Sequence, residues 1–295
     1  MNRILFQIYR VLIPKPLRTI IRKKNLREKI LNYLGSLPPS EISSEQVQVI
    51  DYLKSHELSI FPYPFNGNYS HGAIEVFYDP GKKMRYVLHE GKRLYFKKRW
   101  GENRIRRSCT ELLREQDTDS PHRYLDHRFS ISKDDVIADI GAAEGNFSLS
   151  VIEKVKKVYL FERDQEWIEA MKATFAPWPD KVEIVSKYVS DIDNDSHMRI
   201  DTFFKNRKDI TFLKIDVDGA EEKVLNSCDG VFKSDVPLKI ALCTYHKNGD
   251  EKDFTSLLQK NGFDVNPSKG YMIHYYDKKL GPPYLRRGLI RAVRG

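Results

Sequence analysis

Seven polar residues between positions 139 and 246 are of the types that hold hydroxyls, cations and protons. They are Asp139, Glu144, Glu162, Asp191, Asp216, Asp218 and His246. Their carboxylates could accept hydrogen bonds from a bound ligand or coordinate a cation, and the imidazole could take up a proton. Most of them stand at or just beyond the end of a short apolar run. In an open α/β sheet, that is the edge at which ligands bind.

The first such run is Val136-Ile137-Ala138-Asp139-Ile140, followed by Gly141-Ala142-Ala143-Glu144-Gly145. It has the form of a buried strand entering a glycine turn and then a helix starting near Asn146. The glycines are spaced Gly-x-x-x-Gly, whereas a dinucleotide turn needs Gly-x-Gly-x-x-Gly so that the middle glycine can approach a pyrophosphate. The expected ligand is therefore a nucleoside without a pyrophosphate, S-adenosylmethionine (SAM) above all. Gly141 and Gly145 would let the backbone approach it, and the following helix N-terminus would suit its carboxylate. Asp139 and Glu144 flank the turn, Asp139 either contacting the ligand or bracing the turn. Glu162 follows about 20 residues on, where an acid accepts from ribose hydroxyls. Tyr188 and Val189, at the end of the third strand, are expected beside the adenine.

A second sequence, Asp216-Val217-Asp218-Gly219-Ala220-Glu221, closes the fourth strand. Its acids could accept a proton, cap the next helix or hold a divalent cation. Two neighbouring acids supply few oxygens, so no metal site is expected. His246, at the end of the fifth strand, could deprotonate a hydroxyl, or could be a hydrogen-bonded structural residue. His122 and Arg123, in the loop before the first strand, could close over the ligand. Gly281-Pro282-Pro283-Tyr284 resembles the Asp/Asn-Pro-Pro-Tyr of amino-methylating enzymes, but it lacks the acceptor side chain and lies too late. It is expected to be a turn into a basic tail with Arg286, Arg287, Arg291 and Arg294.

The elements that position these residues alternate. Strands are expected at 136–140, 157–161, 182–189, 211–215 and 238–243, with helices between, and a hairpin at 262–265 and 271–275. Residues 1–117 form an extension that is helical to about residue 56. In it, Ala73–Tyr78, Met84–Leu88 and Arg93–Phe96 make a three-stranded meander across two turn sequences, and a helix follows at 103–115. Residues 118–295 are the α/β domain.

Three widely spaced cysteines, Cys109, Cys228 and Cys243, argue against a disulfide framework and fit a reducing cytoplasm. Of the net charge of +9, residues 1–30 hold +8, through nine Lys/Arg against Glu28 alone. Ile4, Leu5, Ile8, Val11 and Leu12 fall at helical spacing there, and Ile20, Ile21 and Leu26 follow. No run reaches the roughly 20 apolar residues of a membrane span. The arm either lies on an anionic membrane surface or packs on its own domain. It lacks the interleaved aromatics of a nucleic-acid platform, so nucleic acid is not the expected partner.

The Asp139-to-Gly145 turn, Glu162 and above all Leu213-Lys214-Ile215-Asp216-Val217-Asp218-Gly219-Ala220-Glu221 resemble FkbM-type SAM-dependent methyltransferases. Asp218 stands where that family more often has Glu. The resemblance covers roughly residues 118–278. It implies a seven-stranded Rossmann-like class I methyltransferase sheet, SAM as cofactor, and methyl transfer to a hydroxyl. It further implies a saccharide or lipid-linked saccharide acceptor in bacterial surface polysaccharide biosynthesis, at the inner face of the membrane. Asp216, Asp218 and His246 would orient or deprotonate the acceptor, while Asp139, Gly141, Glu144, Gly145, Glu162, Tyr188 and Val189 would hold SAM. The rival readings are an RNA methyltransferase and a non-catalytic SAM-binding scaffold.

Overall fold

The computed structural model describes residues 14–205, 207, 209–234 and 236–295. The proposed amphipathic positions Ile4, Leu5, Ile8, Val11 and Leu12 lie outside the described residues.

Val136–Ile140 (β4) is buried at every position, as its largely apolar run demands, and is an interior strand of a seven-stranded sheet. Lys157–Phe161 (β5) and Val182–Val185 (β6) lie in parallel on one side. Phe212–Ile215 (β9) and Leu238–Cys243 (β10) lie in parallel on the other. Leu289–Arg294 (β12) pairs antiparallel with β10 and, on its other edge, with Asp264–Pro267 (β11). The order β6-β5-β4-β9-β10-β12-β11 reverses direction beside β4, and such a reversal opens a crevice at the carboxyl edge. Apolar clusters cover both faces.

Three local expectations are corrected. The third strand stops at Val185, where the Lys187 N–H bonds back to the Val185 carbonyl at 2.9 Å. Tyr188–Val189 (β7) then pairs with His197–Met198 (β8), outside the main sheet. Residues 271–275 are not a hairpin strand, because Met272 and Ile273 turn inward onto the N-terminal helices. The supposed basic tail is β12 and its approach. Leu289, Ile290 and Ala292 are buried, and the arginines donate to main-chain carbonyls. Arg291 bonds the carbonyls of Arg123 (2.7 Å) and Tyr124 (3.0 Å), Arg286 those of Tyr245 (2.9 Å) and His246 (2.6 Å), and Arg294 that of Phe232.

The N-terminal extension packs onto this sheet domain. Lys15–Gly35 (α1) and Ser44–Ser55 (α2), the latter opened by a Ser43/Gln46 capping box, bury Ile30, Leu34, Val49 and Leu53 against Met272, Ile273 and Leu285. The meander of Phe77–Asp79 (β1), Met84–His89 (β2) and Lys92–Tyr95 (β3) joins the sheet's own core through Val87 and Leu94. Glu102–Glu115 (α3) runs from the meander to the carboxyl edge of the sheet. Among the described residues no helix is long and apolar enough to cross a membrane.

Candidate active site

At the carboxyl edge of β4, β5 and β9 lies a cavity of about 620 Å³, within the range of small-molecule sites. Its floor is the glycine turn. Gly141 has φ +79°, and a side chain there would overlap the Asp216 carbonyl, so only glycine lets the β4 and β9 ends meet. At Gly145, also at φ +79°, a Cβ would sit 2.8 Å from the Phe175 ring. Between them, the turn holds Ala143 at φ 48°, a left-handed conformation that costs roughly 1–2 kcal/mol without glycine.

Glu162 braces that strained turn from the end of β5. Its Oε2 accepts the Ala143 N–H at 3.1 Å, and Oε1 accepts those of Arg163 and Asp164, each at 2.7 Å. A carboxylate has roughly four acceptor sites; one is therefore left free to accept from a hydroxyl in the cavity that Glu162 lines. Tyr188 and Val189 line the same cavity. Asn146–Val151 (α4) begins at the expected residue and is short, because the Lys154 N–H closes a tight turn onto Val151 at 2.8 Å.

Asp139 is placed elsewhere. It is buried behind the turn, with Lys214 Nζ 3.0 Å from Oδ1 and Ser148 donating to Oδ2 at 2.7 Å. Lys214 also donates to the Gly141 carbonyl at 2.7 Å. The pair fastens β4, β9 and the turn together, so Asp139 is a brace and not a cavity-lining contact. Lys214 was signalled by a lysine in an otherwise apolar strand.

Glu144 lines the cavity beside Glu115, the last residue of α3, which nothing in the sequence had marked. Burial, with Glu115 adding repulsion, pushes the Glu144 carboxyl up to about 8. Burial and the nearby Asp216 carboxylate push Glu115 to about 7. A carboxyl raised on folding contributes stability below its unfolded pKa that is lost as pH rises through about 8. A cationic ligand draws it back to the charged form. SAM affinity is therefore expected to strengthen roughly tenfold from about pH 6.5 to pH 8. Calorimetry across that range should show a much flatter profile in Glu144→Gln, and a shallower one for S-adenosylhomocysteine, which lacks the sulfonium charge.

Asp216 lines the cavity at the end of β9. Tyr124 donates to Oδ2 at 2.9 Å and Tyr245 to Oδ1 at 3.4 Å, while His122 Nε2 stands 3.5 Å from Oδ2. Burial would raise its carboxyl, but the His122 contact and the charges of Lys214 and His246 hold it well below the usual range. Asp216 is thus a fixed anion and a poor proton acceptor, able to accept a hydrogen bond from a hydroxyl. His122 corrects the expectation of a lid: it is buried against Asp216 and Cys243, behind the residues that line the cavity. Arg123 is tied to the Leu125 carbonyl at 2.9 Å and faces away from the cavity.

His246 is buried, its Nδ1 2.9 Å from Glu221 Oε1. Burial alone would lower its imidazole; Asp218, Glu221 and Asp216 overcome that and push it up to about 10. The ring is therefore charged near neutrality, which corrects the expectation of a general base. Asp218 sits on the rim with its side chain fully exposed, at φ 51°. Asp191 bonds Ser190 at 2.9 Å outside the cavity lining.

Residues 183–265, from β6 to β11, match the family model of the Methyltransferase FkbM domain. Among solved structures, methyltransferase FkbM from Methylobacillus flagellatus KT is similar at 17% identity and TM-score 0.44, over 67% of this chain. The similarity spans 56% of that protein's length, little more than half. Precorrin-6y C5,15-methyltransferase from Geobacter metallireducens GS-15 is similar at 15% identity and TM-score 0.38, over 56% of this chain and 83% of its own. A putative methyltransferase from Streptococcus mutans, in complex with SAH, is similar at 13% identity and TM-score 0.37, over 55% and 90% of the two chains. None of the curated proteins matches.

Proposed function

With a SAM-dependent methyltransferase domain of the FkbM type as the premise, we propose that the chain methylates a hydroxyl of a saccharide acceptor in surface polysaccharide biosynthesis. The observation that carries this reading is Asp216. It is a carboxylate held ionised at the mouth of the cofactor cavity, with Tyr124 and Tyr245 fixing its direction. Such a group aligns a neutral hydroxyl and favours the positive charge that develops on its oxygen. Beyond Tyr245, which lines the cavity, His246, His274 and the exposed Tyr276 follow in a chain of ring contacts, rings whose faces suit the C–H surface of a sugar.

The reaction is an in-line displacement. The acceptor oxygen forms a bond to the methyl carbon as the carbon–sulfur bond breaks, and the hydroxyl proton leaves to a nearby base. Glu115, with a carboxyl at about 7, lines the cavity and is matched to that task. SAM supplies the electrophilic methyl group. The chain's own residues bind it, exclude water and align the acceptor.

We further read α1 as the contact to an anionic membrane at the cytoplasmic face. Leu17 and Ile20 are exposed on it, while Arg22 and Lys23 reach Tyr275, next to the acceptor rim. Mass spectrometry after incubation with SAM tests the acceptor. A gain of one methyl group on free or lipid-linked saccharides is expected. Transfer to RNA in their place, or to no acceptor of either class, would overturn the reading.

A further inference from the structure

We propose that the chain has a second ligand site, for a small amphipathic anion: a single phosphate or carboxylate on an apolar body. The site is a cavity of about 530 Å³ between the meander, α3 and α4, within the size range of small-molecule sites. It stands back to back with the cofactor cavity. Glu115, Tyr124 and Asn146 line the first cavity, their chain neighbours Gln116, Arg123 and Phe147 line the second, and Leu112 lines both.

Two donors of this lining lack the acceptors that their burial calls for. Arg123 is half-buried, and its Nε donates to the Leu125 carbonyl at 2.9 Å, yet no carboxylate pairs with it among the described residues. Three arginines near the C-terminus show the contrast. Arg286, Arg287 and Arg291 each pair with a carboxylate, that of Asp277 (2.6 Å), Glu45 (2.7 Å) and Asp126 (2.9 Å) respectively. The remaining N–H groups of Arg123 form the planar fork that takes phosphate or carboxylate in bidentate fashion. Gln116 is the second donor. Its Oε1 accepts the Tyr124 N–H at 3.3 Å, which sets the amide, and its Nε2 is buried with no hydrogen-bond partner among the described residues. A buried donor left unmade is costly, and an anion seated on the neighbouring Arg123 would accept from it.

The rest of the lining is mostly apolar. Phe77 of β1, Val87 of β2, Leu113 of α3, Leu125 and Phe147 of α4 give a ligand's apolar body surface to bury, which is favourable in proportion to the area taken from water. The other polar groups do not compete for the anion. His89 Nε2 is already 2.7 Å from Ser150 Oγ. Glu75, Glu90 and Lys154 line the cavity but are exposed to solvent, which leaves the Arg123 guanidinium as its half-buried charge. The site does not depend on the proposed saccharide acceptor.

The test is calorimetric titration of the full chain with octyl phosphate and with octanoate, below micelle-forming concentrations, with and without saturating SAM. One saturable site is expected, retained when SAM is present, and the tighter of the two probes tells a phosphate ligand from a carboxylate one. Octanol and inorganic phosphate each lack one half of the chemistry and should bind about tenfold more weakly or worse. Arg123→Gln is expected to weaken the tighter probe about tenfold. Leu88 of β2 lines the cavity and is 56% exposed, so Leu88→Asp leaves the fold undisturbed and should weaken it about threefold by repulsion. Circular dichroism confirms the fold of each variant. No saturable binding of either amphiphile, equal binding of octanol, equal affinity in the parent and either variant, or displacement of the probe by SAM would overturn the proposal.

Discussion

Replacing Lys214 with methionine is expected to lower the unfolding free energy by about 3–5 kcal/mol, the cost of breaking a buried ion pair by removing one partner. The side chain is buried, and its ammonium lies 3.0 Å from Asp139 Oδ1 and 2.7 Å from the Gly141 carbonyl. Methionine matches the length of the stem but leaves the buried Asp139 carboxyl with Ser148 as its one remaining side-chain hydrogen-bond partner among the described residues. It also frees the carbonyl of the turn residue that β9 presses against. Urea denaturation measures the loss directly. The double substitution Asp139→Asn, Lys214→Met should recover a large part of it, because the uncompensated charge is gone. A loss below about 1 kcal/mol in the single variant would mean that the pair does not brace the turn.

Glu162→Ala is expected to weaken SAM binding by about 2–4 kcal/mol, or roughly 30- to 700-fold. Three main-chain N–H groups lose a charged acceptor at once, and Ala143 is released from its left-handed conformation. The ribose loses its carboxylate in the same step. Glu162→Gln keeps one acceptor oxygen and should fall between the two. Calorimetric titration of each variant, with circular dichroism to confirm the fold, checks the order.

The residues explain how much of this could be read from the sequence. β4, β5 and β10 were legible to the residue because each is a short apolar run whose neighbours change character sharply. The turn was legible because its glycines have no substitute: one is pressed against the Asp216 carbonyl and the other against Phe175. The meander was visible in its two turn sequences. What stayed hidden depends on partners far along the chain. Asp139 could be either a ligand contact or a brace of the turn, and only Lys214, 75 residues later in the chain, decides for the brace. The arginines of β12 had the look of an exposed tail, since their carbonyl acceptors come from elements up to 168 residues away. His246 was legible at the right edge but not its charge, because three carboxylates converge on it only in the fold. Glu115 carried no signal at all, being one acid among several at the end of a charged helix.

The central claim is that the crevice between the Asp139-to-Gly145 turn and the Asp216-to-Glu221 sequence is built for SAM. Calorimetric titration of SAM into the purified chain tests it most directly, with NAD as the comparison ligand. The account predicts one saturable SAM site, no NAD binding, and the loss in Glu162→Ala described above. No heat of binding with SAM, or equal affinity in the parent and Glu162→Ala, would contradict it.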